Sequence, residues 1–341
     1  MNVTMEGADG LACDEFVRQR DDAQLCHLPA WTRMVEAAFG HRGYYLVARE
    51  NGSVCGVLPL IHVRSRLFGN RMVSQAFSDY GGPIATGPAA MQALYNRAVE
   101  LATRTGCQYL EFRNTVAMPY ASHLRTDKVC ARLRLAPDPQ DVWKGLRPQI
   151  RNRIRKAEKC GVAVTHGHRD LLDDFYRLWT VRMRELGTPS YPRKLFEGIL
   201  TTFAEQSRIF VARCRGQIVA ALFACAFNGI AHTRWGAALR TYDAESPNYL
   251  LNWSAIEYYC HCGAQWLDFG RSTAGSSQHV FKKRWGAETV PLNWQYWTPS
   301  GRELHLVKPD APAYKRKTAM WKKMPLAVTR MVGPWISPGL A

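Results

Sequence analysis

Two stretches of the chain share nearly the same order of apolar and polar residues. The first, LVARENGSVCGVL, occupies residues 46–58, and the second, FVARCRGQIVAAL, occupies residues 210–222. In each stretch two apolar runs flank a polar turn, at residues 50–52 and 215–216, and this pattern predicts a β-hairpin. The second stretch continues through an Asn-Gly turn at residues 228–229 into a third predicted strand.

Amphipathic segments precede both hairpins, and a second repeat follows them. PAWTRMVEAAFG (29–40) and LLDDFYRLWTVRMRELG (171–187) carry apolar residues at helical spacing. Further along, GCQYLEFRN starts at Gly106 and GAQWLDFGR starts at Gly263, each after a helical stretch, where a glycine can cap a helix C-terminus. Each half therefore predicts the order helix, hairpin, helix, strand, and two repeats in the same order indicate an internal duplication.

Prolines at positions 137 and 139 mark the predicted junction of the halves, and a basic helix follows them. This helix is predicted to begin near Asp141 or Arg147 and to end at Gly161. The sequence predicts three segments: a first domain over 1–136, a second domain with the catalytic loop over 137–310, and a basic C-terminal tail over 311–341. The predicted helix has an apolar stripe and a neighbouring basic stripe, formed by Ile150, Ile154 and Ala157 and by Arg151, Arg155 and Lys159.

Charge and cysteine content narrow the functional classes. Hydrophobic residues make up 47% of the 341 residues, which supports a globular core, and the formal net charge is +17. This charge favours a polyanionic partner, namely nucleic acid, a phosphate-rich small molecule or an anionic membrane surface; the alternative is a basic protein without such a partner.

The ten cysteines form no zinc-site spacing, because Cys260 and Cys262 stand as a single pair, so no metal is expected. The N-terminus lacks the apolar core of a secretory signal, and no apolar run is long enough for a spanning helix. We therefore expect a cytoplasmic protein with reduced cysteines.

The repeated unit resembles a pair of GNAT-type acyltransferase domains, and four segments resemble the FemAB family in its exosortase (PEP-CTERM) associated branch. These segments are HLPAWTRMVEAAFGHRGYYLVARENGSVCGVLPL, SRLFGNRMVSQAFSDYGGP, RNRIRKAEKCGV and LDFGRSTAGSSQHVFKKRWG. The resemblance extends over nearly the whole chain from about His27. It implies an α/β (α+β) fold of two tandem GNAT-like domains with mixed sheets flanked by helices, followed by the basic tail.

The resemblance also implies a reaction class. FemAB relatives transfer an amino acid from aminoacyl-tRNA to an amine of a peptidoglycan precursor, and they need no metal. By resemblance the expected activity is an N-acyl or aminoacyl transferase that forms an amide on a cell-envelope or exopolysaccharide precursor, with a phosphate-bearing or lipid-linked acceptor and no cofactor besides the donor. Two alternatives stay open: an acyl-CoA-dependent GNAT N-acyltransferase, and a non-enzymatic RNA- or polysaccharide-binding scaffold.

Aminolysis of an ester needs a neutral amine, a stabilised oxyanion and a proton for the leaving group. The family places a Phe-Lys pair late in the second half, and here the match is Phe281-Lys282. The resemblance implies that Lys282, rather than Lys283, stabilises the oxyanion; the alternative is a solvated or RNA-facing charge cluster. Asp268 and His279 are candidates for proton transfer, although Asp268 can equally face solvent or pair with Arg271, and His279 can be a surface histidine.

Other candidate substrate-binding residues lie in loops and on one strand. Arg271 and Ser272 begin the small polar loop after the strand LDFG, where backbone N–H groups can hold an anion. In FSDYGGP, Tyr80 offers a hydroxyl, and Gly81 and Gly82 permit close approach to the backbone, or simply form a tight turn. Trp235 ends a predicted strand near the point where the second sheet splays, and it is a candidate ligand wall or a core residue.

Arg151 and Arg155 on the basic helix suit a pyrophosphate, a UDP group or an RNA backbone, or else form a solvated face. Acyl-CoA acetyltransferases usually carry an Arg/Gln-x-x-Gly-x-Gly/Ala turn for the donor pyrophosphate, and GGPIATGPAAM does not match it. That mismatch favours aminoacyl-tRNA over acyl-CoA as the donor.

The tail from Ala311 mixes Lys and Arg with Trp and Met, as interfacial segments do. It predicts peripheral contact with the inner membrane face, or else docking on the protein body or tRNA contact. Pro325 is expected to interrupt a single helix there.

Overall fold

The computed structural model describes residues 2–6, 11–300, 302–304, 306 and 312–340. The strands are β1 (Asn2–Glu6), β2 (Arg42–Glu50), β3 (Ser53–Ser65), β4 (Gly69–Val73), β5 (Ile84–Ala85), β6 (Tyr109–Asn114), β7 (His123–Arg125), β8 (Lys128–Arg134), β9 (Val162–Gly167), β10 (Ser207–Cys214), β11 (Gln217–Phe227), β12 (Ile230–Ala238), β13 (Trp266–Thr273), β14 (Glu288–Pro291) and β15 (Asn293–Trp297). The helices are α1 (Leu11–Arg18), α2 (Pro29–Phe39), α3 (Pro88–Arg104), α4 (Pro139–Gly145), α5 (Pro148–Lys159), α6 (Leu172–Leu186), α7 (Arg193–Thr202), α8 (Pro247–His261), α9 (Ser277–Arg284), α10 (Pro312–Lys323) and α11 (Leu326–Ile336).

The chain divides into two compact units, each assembled from separate segments. Unit 1 comprises Met1–Lys128, Pro291–Lys308 and Trp335–Ala341, and unit 2 comprises Val129–Val290 and Pro309–Pro334. The domain boundaries expected from the sequence were linear, whereas these units interleave along the chain.

Unit 1 contains a mixed sheet in the order β1-β2-β3-β4-β6-β15-β7, with β5 paired to β3. Strands β1 to β4 are antiparallel neighbours, and β4 and β6 are parallel. Leu46, Leu58 and Leu60 from the sheet and Leu94 from α3 form its core, all of them fully buried. Helix α2 packs against β2 and β3.

Unit 2 repeats this plan with the sheet order β14-β8-β13-β12-β11-β10-β9. Strands β9 to β12 are antiparallel neighbours, and β12 and β13 are parallel. Helices α5 and α8 pack on one another, and the predicted apolar stripe of α5, formed by Ile150, Ile154 and Ala157, lies in the core. Helix α6 packs against β10, β11 and β12.

The predicted duplication is confirmed at the level of topology. The order α2, β2, β3, α3, β6 in unit 1 matches the order α6, β10, β11, α8, β13 in unit 2. The predicted turns have positive φ at two successive residues, as at Asn51-Gly52 and Arg215-Gly216, which is the signature of the tight hairpin turn that matches strand twist. Gly106 and Gly263 both have positive φ directly after a helix C-cap, as predicted.

Two strands cross over between the repeated segments. β15 follows the second repeat in sequence but pairs with β6 and β7 of the first sheet. β8 follows the first repeat but lies between β13 and β14 of the second sheet. The first sheet is therefore completed beside β6 by a strand that follows the second repeat, and the second sheet is completed beside β13 by a strand that follows the first repeat. A linear duplication does not predict this exchange.

The tail forms two helices, α10 and α11, with the expected interruption at Pro325. None of the helices within the described ranges is both long and apolar enough to span a membrane.

Candidate active site

The centre of unit 2 is the point where the parallel strands β12 and β13 separate. They pair only over Ile230–His232 and Trp266–Asp268, although β12 continues to Ala238 and β13 to Thr273. At the same level β12 carries a bulge, since Thr233 and Arg234 lie opposite a single residue of β11. A bulge re-aims side chains and backbone N–H groups, and bulges are frequent next to active sites.

Asp268 is fully buried where the two strands separate. Its Oδ1 accepts a hydrogen bond from the Gly270 backbone N–H at 2.7 Å, and its Oδ2 accepts one from Arg132 Nε at 3.1 Å. The interpretation that Asp268 faces solvent is wrong, and an ion pair forms with Arg132 on the crossed-over strand β8. Because a buried carboxylate needs such a partner, the pair fixes the end of β13.

His232 is the residue of β12 opposite Asp268, and sequence reasoning missed it. The residue is 6% exposed, and its Nδ1 lies 3.8 Å from Asp268 Oδ2. Arg132 was missed as well. The alternation of apolar and polar residues in the sequence of β8 places Arg132 on one strand face, but it gives no sign of which sheet that strand joins.

Lys282 lies on α9 and reaches back to the end of β13. Its half-buried side chain donates from Nζ to the carbonyl oxygens of Gly270, at 2.7 Å, and Arg271, at 3.1 Å. Lys283, one residue later, is exposed. The structure thus distinguishes the two lysines: the Lys282 ammonium is held by fixed backbone acceptors, and the Lys283 side chain faces solvent.

His279 holds the loop between β13 and α9 and is not a surface residue. The Gly275 backbone N–H donates to Nδ1 at 3.1 Å, so Nδ1 is the acceptor and Nε2 carries the proton, which faces Thr289 Oγ1 at 2.9 Å. Ser276 caps the helix by accepting from the His279 backbone N–H. Both ring nitrogens therefore stabilise the loop conformation.

The remaining predicted residues of this segment differ in exposure. Arg271 is exposed, so its guanidinium can reach an anionic group in solution. Ser272 is 4% exposed, and its buried hydroxyl has no hydrogen-bond partner among the residues that the structure describes. Phe281 packs edge-on against Tyr249 and Trp285 on the unit 2 core.

Trp235 is a core residue of unit 2. It is 4% exposed and makes edge-to-face contacts with Phe196 at 5.5 Å and Phe223 at 5.6 Å between ring centroids. These contacts agree with the core interpretation of Trp235, and a ligand-wall role is not needed to explain its position.

Arg151 and Arg155 lie on α5, which packs against α8 and β9. Arg155 is exposed and stacks over the Trp143 ring at 5.5 Å, whereas Arg151 donates to the Lys144 carbonyl at 3.4 Å. Both arginines thus lie on α5, a different element from the β13–α9 segment that carries Lys282.

The glycines of the FSDYGGP loop lie in unit 1 and accommodate the protein's own packing. A Cβ on Gly81 would overlap Gln75, and a Cβ on Gly82 would overlap Asn114. Tyr80 is only 3% exposed. The close approach that these glycines permit is therefore with neighbouring side chains of unit 1, and a substrate-binding role stays a prediction.

Within the described ranges, no group of three or more His, Cys, Asp or Glu side chains is placed to hold a metal ion.

Comparison with known proteins agrees with this architecture. Residues 144–283 match the family model of the acetyltransferase (GNAT) domain. The crystal structure of FemX is similar to this structure over 88% of this chain and 98% of its own, at 13% identity and a TM-score of 0.68.

Two other solved structures are similar at a TM-score of 0.56. A tandem GNAT protein from the clavulanic acid biosynthesis pathway matches over 88% of this chain and 99% of its own, at 13% identity. L-PGS from Bacillus licheniformis matches over 97% of this chain and 98% of its own, at 12% identity. No curated protein sequence matches the chain.

These similarities confirm the fold that was predicted from the duplicated sequence: mixed sheets flanked by helices, in two units. The chain thus has a fold of two tandem GNAT-like units, and its residues 144–283 match the model of the acetyltransferase (GNAT) domain.

Proposed function

We propose that this protein is a FemAB-like N-acyl transferase that moves an aminoacyl group from aminoacyl-tRNA to an amino group of a cell-envelope or exopolysaccharide precursor. On the sequence resemblance, we also propose that the protein belongs to the exosortase-associated branch of that family. The observation that carries it is the Lys282 ammonium, which is fixed at the end of β13 in the GNAT domain. The fold of FemX and the net charge of +17 support it further.

In the proposed reaction the acceptor amine nitrogen attacks the ester carbonyl carbon of the donor. The new C–N bond forms, the carbonyl oxygen becomes an oxyanion, the C–O bond to the tRNA ribose breaks, and the amine proton ends on the released hydroxyl. Lys282 stabilises the oxyanion, because a fixed cation lowers the energy of charge that develops only in the transition state. The two backbone carbonyls hold its ammonium in place before the substrate binds.

Asp268 and His279 act in this scheme as positioning residues. The Asp268 carboxylate fixes Gly270, which provides one of the Lys282 acceptors, and His279 fixes the loop that leads into α9. Arg271, exposed beside this loop, provides a cation for a phosphate or carboxylate of the substrate. The basic face of α5, with Arg151 and Arg155, contacts the phosphate backbone of the donor RNA.

A donor assay tests the proposal. The purified full chain is incubated with tRNA charged with radiolabelled amino acids and with an organic-solvent extract of envelope precursors. We expect label in a product that resists mild base, since an amide survives conditions that hydrolyse the aminoacyl ester. Prior digestion with RNase should abolish the label. Transfer that persists at full rate after RNase digestion would exclude aminoacyl-tRNA as the donor.

Acyl-CoA is the second candidate donor, because the matched family model is that of an acetyltransferase. A parallel reaction with radiolabelled acetyl-CoA distinguishes the two, and thermal stabilisation by CoA but not by tRNA would select the acyl-CoA donor. If neither donor yields an amide, the proposed transfer fails and the alternative of a non-enzymatic binding scaffold is favoured.

A further inference from the structure

The two C-terminal helices carry an unusual charge composition. Residues 312–341 contain six Lys and Arg residues and no Asp or Glu. Five of these basic residues lie on α10 and are exposed: Lys315, Arg316, Lys317, Lys322 and Lys323. The segment is therefore uniformly cationic, unlike ordinary surface helices, in which both signs are mixed.

One side of α10, and of α11 as far as Pro334, packs on the rest of unit 2. On α10, Trp321 is 7% exposed, and Thr318 contacts the turn at Gly187. Arg184 of α6 donates to the Met324 carbonyl at 2.6 Å. On α11, Arg330 donates to Thr180 Oγ1 at 2.9 Å. These contacts identify the inner side of each helix, and the outer side of each helix is the one opposite to it.

The outer side of α11 is apolar and exposed. Met331 is 67% exposed and Trp335 is 84% exposed, and they lie one helical turn apart, with exposed Ala327 one turn before them. A tryptophan that is 84% exposed is unusual on a protein surface, because burial of its large apolar ring is favourable and its N–H usually has a polar partner.

The outer side of α10 combines an apolar residue with basic ones. Met320 is 63% exposed, and Arg316 and Lys323, at i−4 and i+3, are exposed on the same face. We call these exposed residues of the two helices, Arg316, Met320, Lys323, Ala327, Met331 and Trp335, the tail surface. Cationic side chains next to exposed Trp and Met residues are the composition of interfacial membrane-binding helices.

We propose that the tail surface binds the headgroup region of an anionic phospholipid bilayer. The basic residues of α10 contact lipid phosphates, while Met331 and Trp335 enter the boundary between headgroups and acyl chains. The apolar stripe on α11 favours a bilayer over RNA, because phosphate contacts to RNA would engage α10 and leave this stripe in water. Binding of the tail surface to a bilayer does not depend on the transfer reaction.

Vesicle co-sedimentation of the full chain tests this inference. We expect binding to vesicles of phosphatidylglycerol and phosphatidylcholine, little binding to pure phosphatidylcholine, and weakening with salt. The double variant Met331→Ser/Trp335→Ser should reduce the apparent affinity for these vesicles about tenfold or more, because it removes two apolar side chains from the contact with the bilayer. Val116→Ser removes an apolar side chain that is 78% exposed elsewhere and serves as the matched control.

A second variant, Arg316→Glu/Lys323→Glu, tests the electrostatic part and should abolish the preference for anionic vesicles. Thermal unfolding checks that both double variants are folded. Equal sedimentation of the wild type and Met331→Ser/Trp335→Ser would overturn the proposal. So would a wild type that binds tRNA through Arg316 and Lys323 but does not sediment with anionic vesicles.

Discussion

Both units contain a short parallel strand pair that ends at a buried acidic side chain, yet the two pairs continue differently. In unit 1 the pairing of β4 with β6 ends at Val73 and Glu111, and in unit 2 the pairing of β12 with β13 ends at His232 and Asp268. Glu111 and Asp268 occupy the same place in the two sequence repeats, five residues after Gly106 and Gly263. Each carboxylate forms an ion pair with an arginine.

In unit 1 the chain itself fills the space where the strands would separate. The Ser74 backbone N–H donates to the Glu111 carbonyl at 2.8 Å, and the Gly82 backbone N–H donates to the Arg113 carbonyl at 3.1 Å. Arg113 pairs with Glu111 at 2.7 Å and also donates to the Ser78 carbonyl. The FSDYGGP loop thereby continues the hydrogen bonding of β6, and this part of unit 1 is a closed polar network.

In unit 2 the corresponding region holds a fixed cation. β12 continues along β11 to Ala238, while β13 ends in a loop whose carbonyls hold the Lys282 ammonium. The two copies of one scaffold thus use a buried carboxylate at the same position differently. Glu111 joins a polar network that fills the gap between the strands of unit 1, whereas Asp268 supports the loop that holds a cation in unit 2. The proposed catalytic role therefore belongs to unit 2.

The largest expected effect comes from Lys282. Lys282→Ala should lower kcat about 10²- to 10³-fold, because loss of one fixed oxyanion donor has this effect in other acyl-transfer sites. Lys283→Ala is the matched control and should change kcat little, since that side chain is exposed. Steady-state transfer kinetics measure both variants. An equal loss in the two variants, or none in either, would contradict the role proposed for Lys282 and remove the reason to assign catalysis to unit 2.

The next effect is an acid sensitivity concentrated in unit 1. Burial lowers the pKa of His27 to about 4, while its ring nitrogens contact the Gln24 backbone N–H and the Gly82 carbonyl. Burial also lowers the pKa of His41 and His62 in unit 1 and of His168 in unit 2. Because the folded state disfavours the protonated rings, the unfolded state binds more protons, and stability is lost as the pH falls.

The stability that depends on neutral His27 is lost as the pH falls from about 6.5 to about 4. The loss in the free energy of unfolding reaches about 3 kcal/mol, since a pKa shift of one unit corresponds to about 1.4 kcal/mol. Hydrogen exchange at pH 7 and at pH 4.5, corrected for intrinsic rates, should show unit 1 losing protection before unit 2. His27→Gln removes the titrating group and should shrink that difference. Earlier loss of protection in unit 2 would contradict the prediction.

The smallest effect separates the two carboxylates. Glu111→Gln and Asp268→Asn should each lower the free energy of unfolding by about 2 kcal/mol, because each weakens a charge-assisted hydrogen bond to arginine. Only Asp268→Asn should also lower kcat, since Asp268 positions Gly270 and hence Lys282. Thermal unfolding and transfer kinetics measure the two quantities. A kcat loss in Glu111→Gln at full folding would show that unit 1 also contributes to the reaction.

Much of the fold could be predicted from the sequence, because the signals are local. The Asn-Gly and Arg-Gly turns, the glycines after α3 and α8, and the apolar stripe of α5 each depend on neighbouring residues alone. The choice of Lys282 over Lys283 needed the family resemblance, since two adjacent lysines carry no local distinction. The structure then placed one side chain on backbone carbonyls and the other in solvent.

The sequence by itself therefore determined the two repeated units, the order of their elements and a uniformly cationic tail. Only the tertiary structure decided that β8 and β15 cross between the repeats, that Arg132 is the partner of Asp268, and that His232 lies opposite it. Backbone preference acts between residues a few positions apart, whereas Arg132 and Asp268 meet only after strands distant in sequence have paired. The physical reason is that strand pairing brings together side chains that are far apart along the chain, and no local preference of either residue indicates which partner it will meet.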